Sequence, residues 1–356
     1  MTSPHRNRFR STILAPAILA VSLLALAGCT AGGTAAPTGP DVPAEVAPSL
    51  PPAPAAAFDG DCDSVFAAAD LSDVLGQPMG NPVEYAASPS ALTVAVEVVG
   101  GVGCSWQASG NETGEGAYLD TIVFPKAAVP DAELQDPYCY STENGDTVLN
   151  ACSFTAEASG YLVSGVAYVR PGQSESEAQA AVGALVALFA TSAESVGEPV
   201  LPVTADGAWS TPPECEVLSA AADLPGVLNS PELVAYAADG PSEAPPALFS
   251  VASAAGYFSC SLTYDDGETP AGSVPSFALT GLAGASFVQP RLVEAGGLSY
   301  EVEGYDFSVL TADDQLNVFD GSNWLTIVSS AYSSEATELP SLVPAVAPVF
   351  AALTGQ

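Results

Sequence analysis

Between Asp63 and Leu75 the apolar positions Val65, Phe66, Ala69 and Leu71 recur at helical spacing, and Gly76 and Pro78 close the segment, which predicts a short helix. β-branched and aromatic runs then take over. Residues 92–99, 103–108 with Trp106, 117–124, 138–142, 147–154 and 161–169 each read as a strand. Between the fourth and fifth lies Glu143-Asn144-Gly145-Asp146, and Asn-Gly is the strongest short hairpin signal. Helical spacing returns at Ser174-Glu175-Ser176-Glu177, a capping box that opens a helix with Ala178, Ala181, Val182, Leu185, Leu188 and Phe189 on one face.

The same order recurs downstream. Setting Cys62 over Cys215 aligns residues 62–78 with 215–231 without a gap, and nine of the seventeen positions are identical, including the cysteine, Asp70/Asp223, Leu71/Leu224 and Pro78/Pro231. Cys104-Ser105 answers Cys260-Ser261, and Phe189-Ala190 answers Phe350-Ala351. Internal similarity at this spacing reads as two copies of one domain. The expected architecture is α+β: two tandem homologous domains, 58–196 and 214–356, each an antiparallel twisted sheet packed by an N-terminal and a C-terminal helix. The breaker-rich stretch 197–213 reads as an exposed linker between them. The last helix of the second copy contains Pro340, Pro344 and Pro348, so it is expected to be short, kinked or partly irregular.

Ahead of both copies, Arg6, Arg8 and Arg10 precede an apolar run over residues 13–27 that ends in Leu26-Ala27-Gly28-Cys29. The run is shorter than the roughly 20 residues a membrane span needs, and Pro16 interrupts it. This arrangement resembles a bacterial lipoprotein signal. The resemblance implies that residues 1–28 are removed, that Cys29 becomes the first residue and carries a thioether-linked diacylglycerol, and that the protein sits on the extracellular face of the cell membrane. Residues 29–57, rich in Ala and Pro, would then be a semi-extended tether.

Charge narrows the classes of partner. Without residues 1–28 the chain has no histidine, and Lys126, Arg170 and Arg291 alone face 41 acidic residues. No basic stripe exists to neutralise phosphates, so nucleic acid is excluded as a partner. Hydrophobic residues nonetheless make up 48% of the chain, which suits folded cores rather than an acidic disordered tail.

Six cysteines besides Cys29, outside the cytosol, read as three disulfides with 15 possible pairings. The pairing that respects the duplication joins Cys62 to Cys104, Cys215 to Cys260, and Cys139 to Cys152 across the hairpin. A cysteine opening a short helix that ends Val74-Leu75-Gly76, then Cys104-Ser105-Trp106, all behind a lipobox and a Pro/Ala tether, resembles the actinobacterial cell-envelope lipoproteins that share a domain of unknown function. It is similar, more distantly, to the secreted sensor domains of mycobacterial receptor kinases. The resemblance implies an α+β domain and carries no catalytic residue across; Leu262 stands where the first copy has Trp106.

Candidate chemistry is sparse. Without histidine there is no Ser-His or Cys-His pair and no histidine-bearing zinc site. Lys126, at a strand end, reads as a solvated charge rather than a partner for a nucleophilic serine. Asp59, Asp61 and Asp63 alternate as at the start of a calcium loop, but Ser64 replaces the glycine such a loop needs, so they read as acids at a helix N-terminus. Asp265-Asp266-Gly267 and Asp313-Asp314 read as turns, with weak extracellular calcium binding as their further expectation. Trp106, Trp209 and Trp324 are expected in cores. No catalytic residue and no metal ligand is assigned. The reading is a non-enzymatic, lipid-anchored binding or interaction module at the cell surface, its partner a small molecule or an envelope protein; the alternative is a carboxylate-dependent glycan hydrolase, which needs two facing acids in an aromatic-lined groove.

Overall fold

The structure, a computed structural model, describes residues 50–85, 89–109, 116–144, 147–170, 172–238, 244–265, 267, 269–329 and 339–355. Residues 1–49, which include the expected signal segment, Cys29 and most of the expected tether, lie outside the described residues, as do Gly145, Asp146 and Asp266. The polypeptide from Ser49 onward forms one compact unit.

In the first half, α1 (Cys62–Val65) and α2 (Ala68–Leu75) precede β1 (Val83–Glu84), α3 (Ala91–Val98), β2 (Val102–Gln107), β3 (Tyr118–Pro125), β4 (Gln135–Asn144), β5 (Thr147–Ala158), β6 (Tyr161–Tyr168) and α4 (Glu175–Val196). The sheet is antiparallel throughout, in the order β1-β2-β3-β6-β5-β4. The second half repeats the plan with α5 (Cys215–Ala221), α6 (Leu224–Val227), β7 (Val234–Ala237), α7 (Leu248–Ala254), β8 (Phe258–Thr263), β9 (Phe277–Leu282), α8 (Gln289–Glu294), β10 (Leu298–Ser299), β11 (Phe307–Leu310), β12 (Gln315–Asp320), β13 (Asn323–Ser329), α9 (Leu339–Leu342) and α10 (Val346–Thr354). Its order, β7-β8-β9-β13-β12-β11-β10, is that of the first sheet with one short strand added at the far edge. The protein is thus α+β with two antiparallel sheets.

Two differences from the sequence pattern have physical causes. The first predicted helix is broken, because Phe66 adopts an extended backbone (φ −143°, ψ 115°) and turns its ring into the core between α1 and α2. Residues 92–99, read as a strand from their β-branched content, form the helix α3. Ser90 and Thr93 make a reciprocal capping box at its start, and Ala91, Val94, Ala95 and Val96 are buried around it. Thr93 and Glu97 are the polar residues of this helix and neither is fully exposed, so burial overrides both propensity and period. The proline-bearing final helix is interrupted, as Pro340, Pro344 and Pro348 predict: α9 gives way to a 3-10 turn at Val343–Ala345 before α10 begins. Pro340, Pro344 and Pro348 each fall in the first turn of one of these pieces, where a backbone N–H has no helical partner to lose.

Each sheet has one face on its own helices. In the first half Cys104, Trp106, Leu119, Val123, Val163 and Ala167 meet Leu71 and Leu75 of α2 and Ala178, Val182, Leu185 and Phe189 of α4. By length and apolarity α4 would also suit a membrane span, but its Ala178, Ala181, Val182, Leu185, Phe189 and Ala193 are buried in this core. In the second half Leu279, Leu316, Val318, Leu325 and Ile327 meet Leu218, Val349, Phe350 and Leu353. The opposite faces look toward each other across a third core that both halves share, with Ile122, Phe124 and Leu162 on one side, Leu282, Phe319 and Trp324 on the other, and α3 and α7 between. Within it the Ala247 N–H donates to Ser164 Oγ at 3.0 Å, which ties the start of α7 to β6.

Candidate functional site

Cys62 is bonded to Cys104, Cys139 to Cys152 and Cys215 to Cys260. The first and third bridges occupy equivalent places, each joining the opening helix of its half to the second strand of its sheet. The middle one links directly opposed residues of β4 and β5.

The segment 197–213 is less free than its composition predicts. Trp209 is buried, with its Nε1 donating to Gly256 O at 2.7 Å and its ring 6.1 Å from Phe258 and 6.4 Å from Phe350. Ser322 Oγ and Asn323 Nδ2 donate to Asp206 O and Gly207 O, each at 3.0 Å. A large aromatic outweighs the surrounding breakers, because burying it stabilises the fold by about 2–3 kcal/mol. Ahead of that anchor, Val200, Leu201 and Val203 remain exposed, and Val203 keeps 89% of its surface. The chain ahead of α1 is likewise fixed, where the Ala57 N–H donates to Gly100 O at 2.8 Å. Gly100 has φ +74°, and a Cβ there would stand 3.2 Å from Ala55 O and 3.4 Å from Pro202 Cδ, so only glycine lets the three strands of chain meet.

Beside this junction lies a cleft of about 390 Å³, walled by Val98 and Val99 at the end of α3, Ala128, the Leu201–Ala205 stretch, the end of α7 at Ala254–Gly256, and Pro54. That volume falls within the range of small-molecule sites, roughly 300–1,000 Å³. Among the described residues that line it none is ionisable; Thr204 and Ser210 carry the polar side chains, and the indole N–H of Trp209 is already committed.

A second constellation lies on the face of the first sheet that continues the shared core. Tyr85 donates its hydroxyl to Asp120 Oδ2 at 2.9 Å, and Ser105 Oγ donates to Asp120 Oδ1 at 2.6 Å. Since the Ser105 proton is used there, the Tyr118 hydroxyl, 3.3 Å away, is the donor to Ser105. Burial pushes the Asp120 carboxyl above its ordinary value, opposed by the hydrogen bonds from Ser105 and Tyr85. Burial also raises the Tyr85 hydroxyl, and the neighbouring Asp120 charge raises it further. Tyr85 reaches the acid because its ring lies across Gly103, where a Cβ would stand 2.2 Å from Tyr85 Cδ2. Sequence reasoning passed over this acid. Its signal was an isolated aspartate in the run Tyr118-Leu119-Asp120-Thr121-Ile122-Val123-Phe124, where strand alternation puts Asp120 on one face with Ile122 and Phe124.

Other predicted positions are structural. Asp61 caps α1, accepting from Asp63 N at 3.0 Å and from Ser64 Oγ at 2.6 Å. Asp313 accepts from Thr311 Oγ1 at 2.6 Å in the turn before β12. No three His, Cys, Asp or Glu side chains gather around a potential metal position among the described residues. Lys126 Nζ donates to the carbonyls of Pro130 and Ala132, closing the turn after β3. All three tryptophans are core residues.

Comparison with known protein families and with curated proteins finds no match. Among solved structures, the crystal structure of DynU16, in the dynemicin biosynthetic locus, pairs with 77% of this chain and 95% of its own at 12% identity and a TM-score of 0.13, a likeness too slight to bear on fold or function.

Proposed function

We propose that this protein is a lipid-anchored extracellular binding module without catalysis of its own, and that it holds an uncharged apolar ligand in the cleft between its halves. The observation that carries the reading is the lining of the 390 Å³ cleft, free of ionisable side chains among its described residues in a chain with 41 acids. A charged ligand would lose its hydration there and gain no counter-charge, whereas apolar surface is favoured by about 25 cal/mol per Å² buried. The shared strand order of the two sheets and the equivalent places of two disulfides support a duplicated domain whose copies close on each other and create the cleft. Membrane attachment rests on the lipobox ending at Cys29.

The test uses N-phenyl-1-naphthylamine, a neutral probe that brightens in apolar surroundings. Residues 50–356, the compact unit with all three disulfides, should bind it saturably, and Ala128→Trp or Ala205→Trp should fill the cleft and abolish the signal. Binding unchanged by both substitutions overturns the reading. Anchoring is tested separately: Cys29→Ser should lose labelling by a fatty-acid probe and leave the membrane fraction.

A further inference from the structure

Five of the chain's twelve tyrosines lie along one end of one sheet face, Tyr138 exposed and Tyr85, Tyr118, Tyr140 and Tyr168 half-buried. The register fixes the arrangement. Across the strands, Ser105 pairs with Asp120, Asp120 with Val166, Val166 with Ser153 and Ser153 with Tyr138. Two residues along, Gln107 pairs with Tyr118, Tyr118 with Tyr168, Tyr168 with Ala151 and Ala151 with Tyr140. Positions two apart on a strand share a face, so both rows look the same way. The rings of Tyr118 and Tyr168 lie 6.1 Å apart, and those of Tyr138 and Tyr140 are stacked at 6.1 Å. Tyr138 is 62% exposed. Tyr85 closes the row from the β1 side through its bond to Asp120.

We propose that this face binds an uncharged oligosaccharide, with the tyrosine rings as a platform and Asp120 as the acceptor that orients the sugar hydroxyls. The chemistry of the face fits that class on three counts. Tyrosine offers broad, rigid amphipathic surface at low entropic loss, suited to the C–H faces of sugar rings. Asp120 is held by Ser105 and Tyr85 through one bond to each oxygen, and a carboxylate offers about four acceptor positions, so acceptor capacity remains for hydroxyl donors. The charges exclude acidic glycans: Lys126 is tied to backbone carbonyls, Arg291 is paired with Glu97, and Arg170 lies against Gly76 at the end of α2. One carboxylate among the described residues of these two rows suits holding a glycan rather than cleaving it, which takes a pair.

The experiment is saturation-transfer NMR on the full chain in phosphatidylcholine vesicles, with empty vesicles as the blank. Maltohexaose, cellohexaose and α-1,6-mannohexaose are the neutral probes, and a galacturonic acid hexamer is the acidic one. At least one neutral hexamer should bind saturably. Tyr138→Ala, at an exposed site, should weaken it by about tenfold without moving the melting curve, and Asp120→Asn should weaken it as well. No saturable neutral binding, equal binding of the acidic hexamer, indifference to Tyr138→Ala, or shortening of a hexamer would each overturn the assignment. The naphthylamine measurement reads a different surface, so the two proposals fail separately.

Discussion

Glu97 of α3 and Arg291 of α8, one from each half, meet through an Oε1 to Nη1 contact of 2.9 Å, the ion pair present among the described residues. Arg291 also lies over the Phe287 ring at 5.6 Å. The pair is partly buried, so solvent screens it less than a surface pair yet it still suffers part of the desolvation penalty. Glu97→Gln and Arg291→Met should each lower unfolding stability by about 1–2 kcal/mol in urea titrations. The double variant should lose distinctly less than the sum, as contacting residues do. Simple additivity would show that the pair does not couple the halves.

Gly103 is the steric condition for the Tyr85–Asp120 bond. Gly103→Ala should push the Tyr85 ring off the sheet and destabilise the fold by about 1–3 kcal/mol. In a Tyr85→Ala background the same glycine substitution should be nearly neutral, because the colliding ring is gone. Thermal unfolding of the four proteins decides the matter.

Two carboxylates make stability depend on pH in opposite senses. Asp120 is raised by burial, so the folded chain binds its proton more tightly than the unfolded chain does. Its contribution is therefore least favourable at neutral pH and improves as pH falls through the raised value toward the ordinary one. Glu177 is lowered by hydrogen bonds from the Ser174 backbone and side chain, so its contribution is complete above the ordinary carboxylate range and disappears as pH falls through the lowered value. Melting temperatures followed from pH 7 downward should rise first, and Asp120→Asn should flatten that rise. Ser174→Ala should instead reduce stability at pH 7 by about 1 kcal/mol and weaken the loss at the acid end.

Removing Cys139–Cys152 as a paired serine substitution should destabilise by about 3 kcal/mol, and removing Cys62–Cys104 by about 4 kcal/mol, following their sequence separations of 13 and 42. Unfolding midpoints in guanidinium check both magnitudes. Peptide mapping without reduction checks the connectivity.

The alternation of strands and the disulfide pairs were legible because each depends on local spacing or on the internal repeat. Helix α3 was not, since its run of Val and Ala with few polar positions matches a buried strand equally well, and the choice was made by what packs around it. Ser90 and Thr93 were the available local sign. Trp209 was expected in a core, yet its neighbours Pro202, Gly207, Pro212 and Pro213 predicted an exposed segment, and the indole prevailed. The cleft and the tyrosine face were out of reach for a different reason. Both assemble residues from distant strands and helices, so they exist only once register and the contact between the halves are fixed.

If the anchoring proposed at Cys29 holds, a pull on the protein acts through the chain that enters at Leu50. That load meets the turn before β2 at the Ala57–Gly100 bond and the first sheet at the Cys62–Cys104 bridge, which delivers it to β2, an interior strand flanked by β1 and β3 rather than an edge. Interior strands yield only by shearing two ladders at once. With the bridge intact, the 42-residue span it closes cannot pay out; once reduced, it would release roughly 140–150 Å of slack at about 3.3–3.6 Å per residue. Under such a pull, the redox state of one buried cysteine pair would set how far the body can be drawn out before its first sheet is pulled apart.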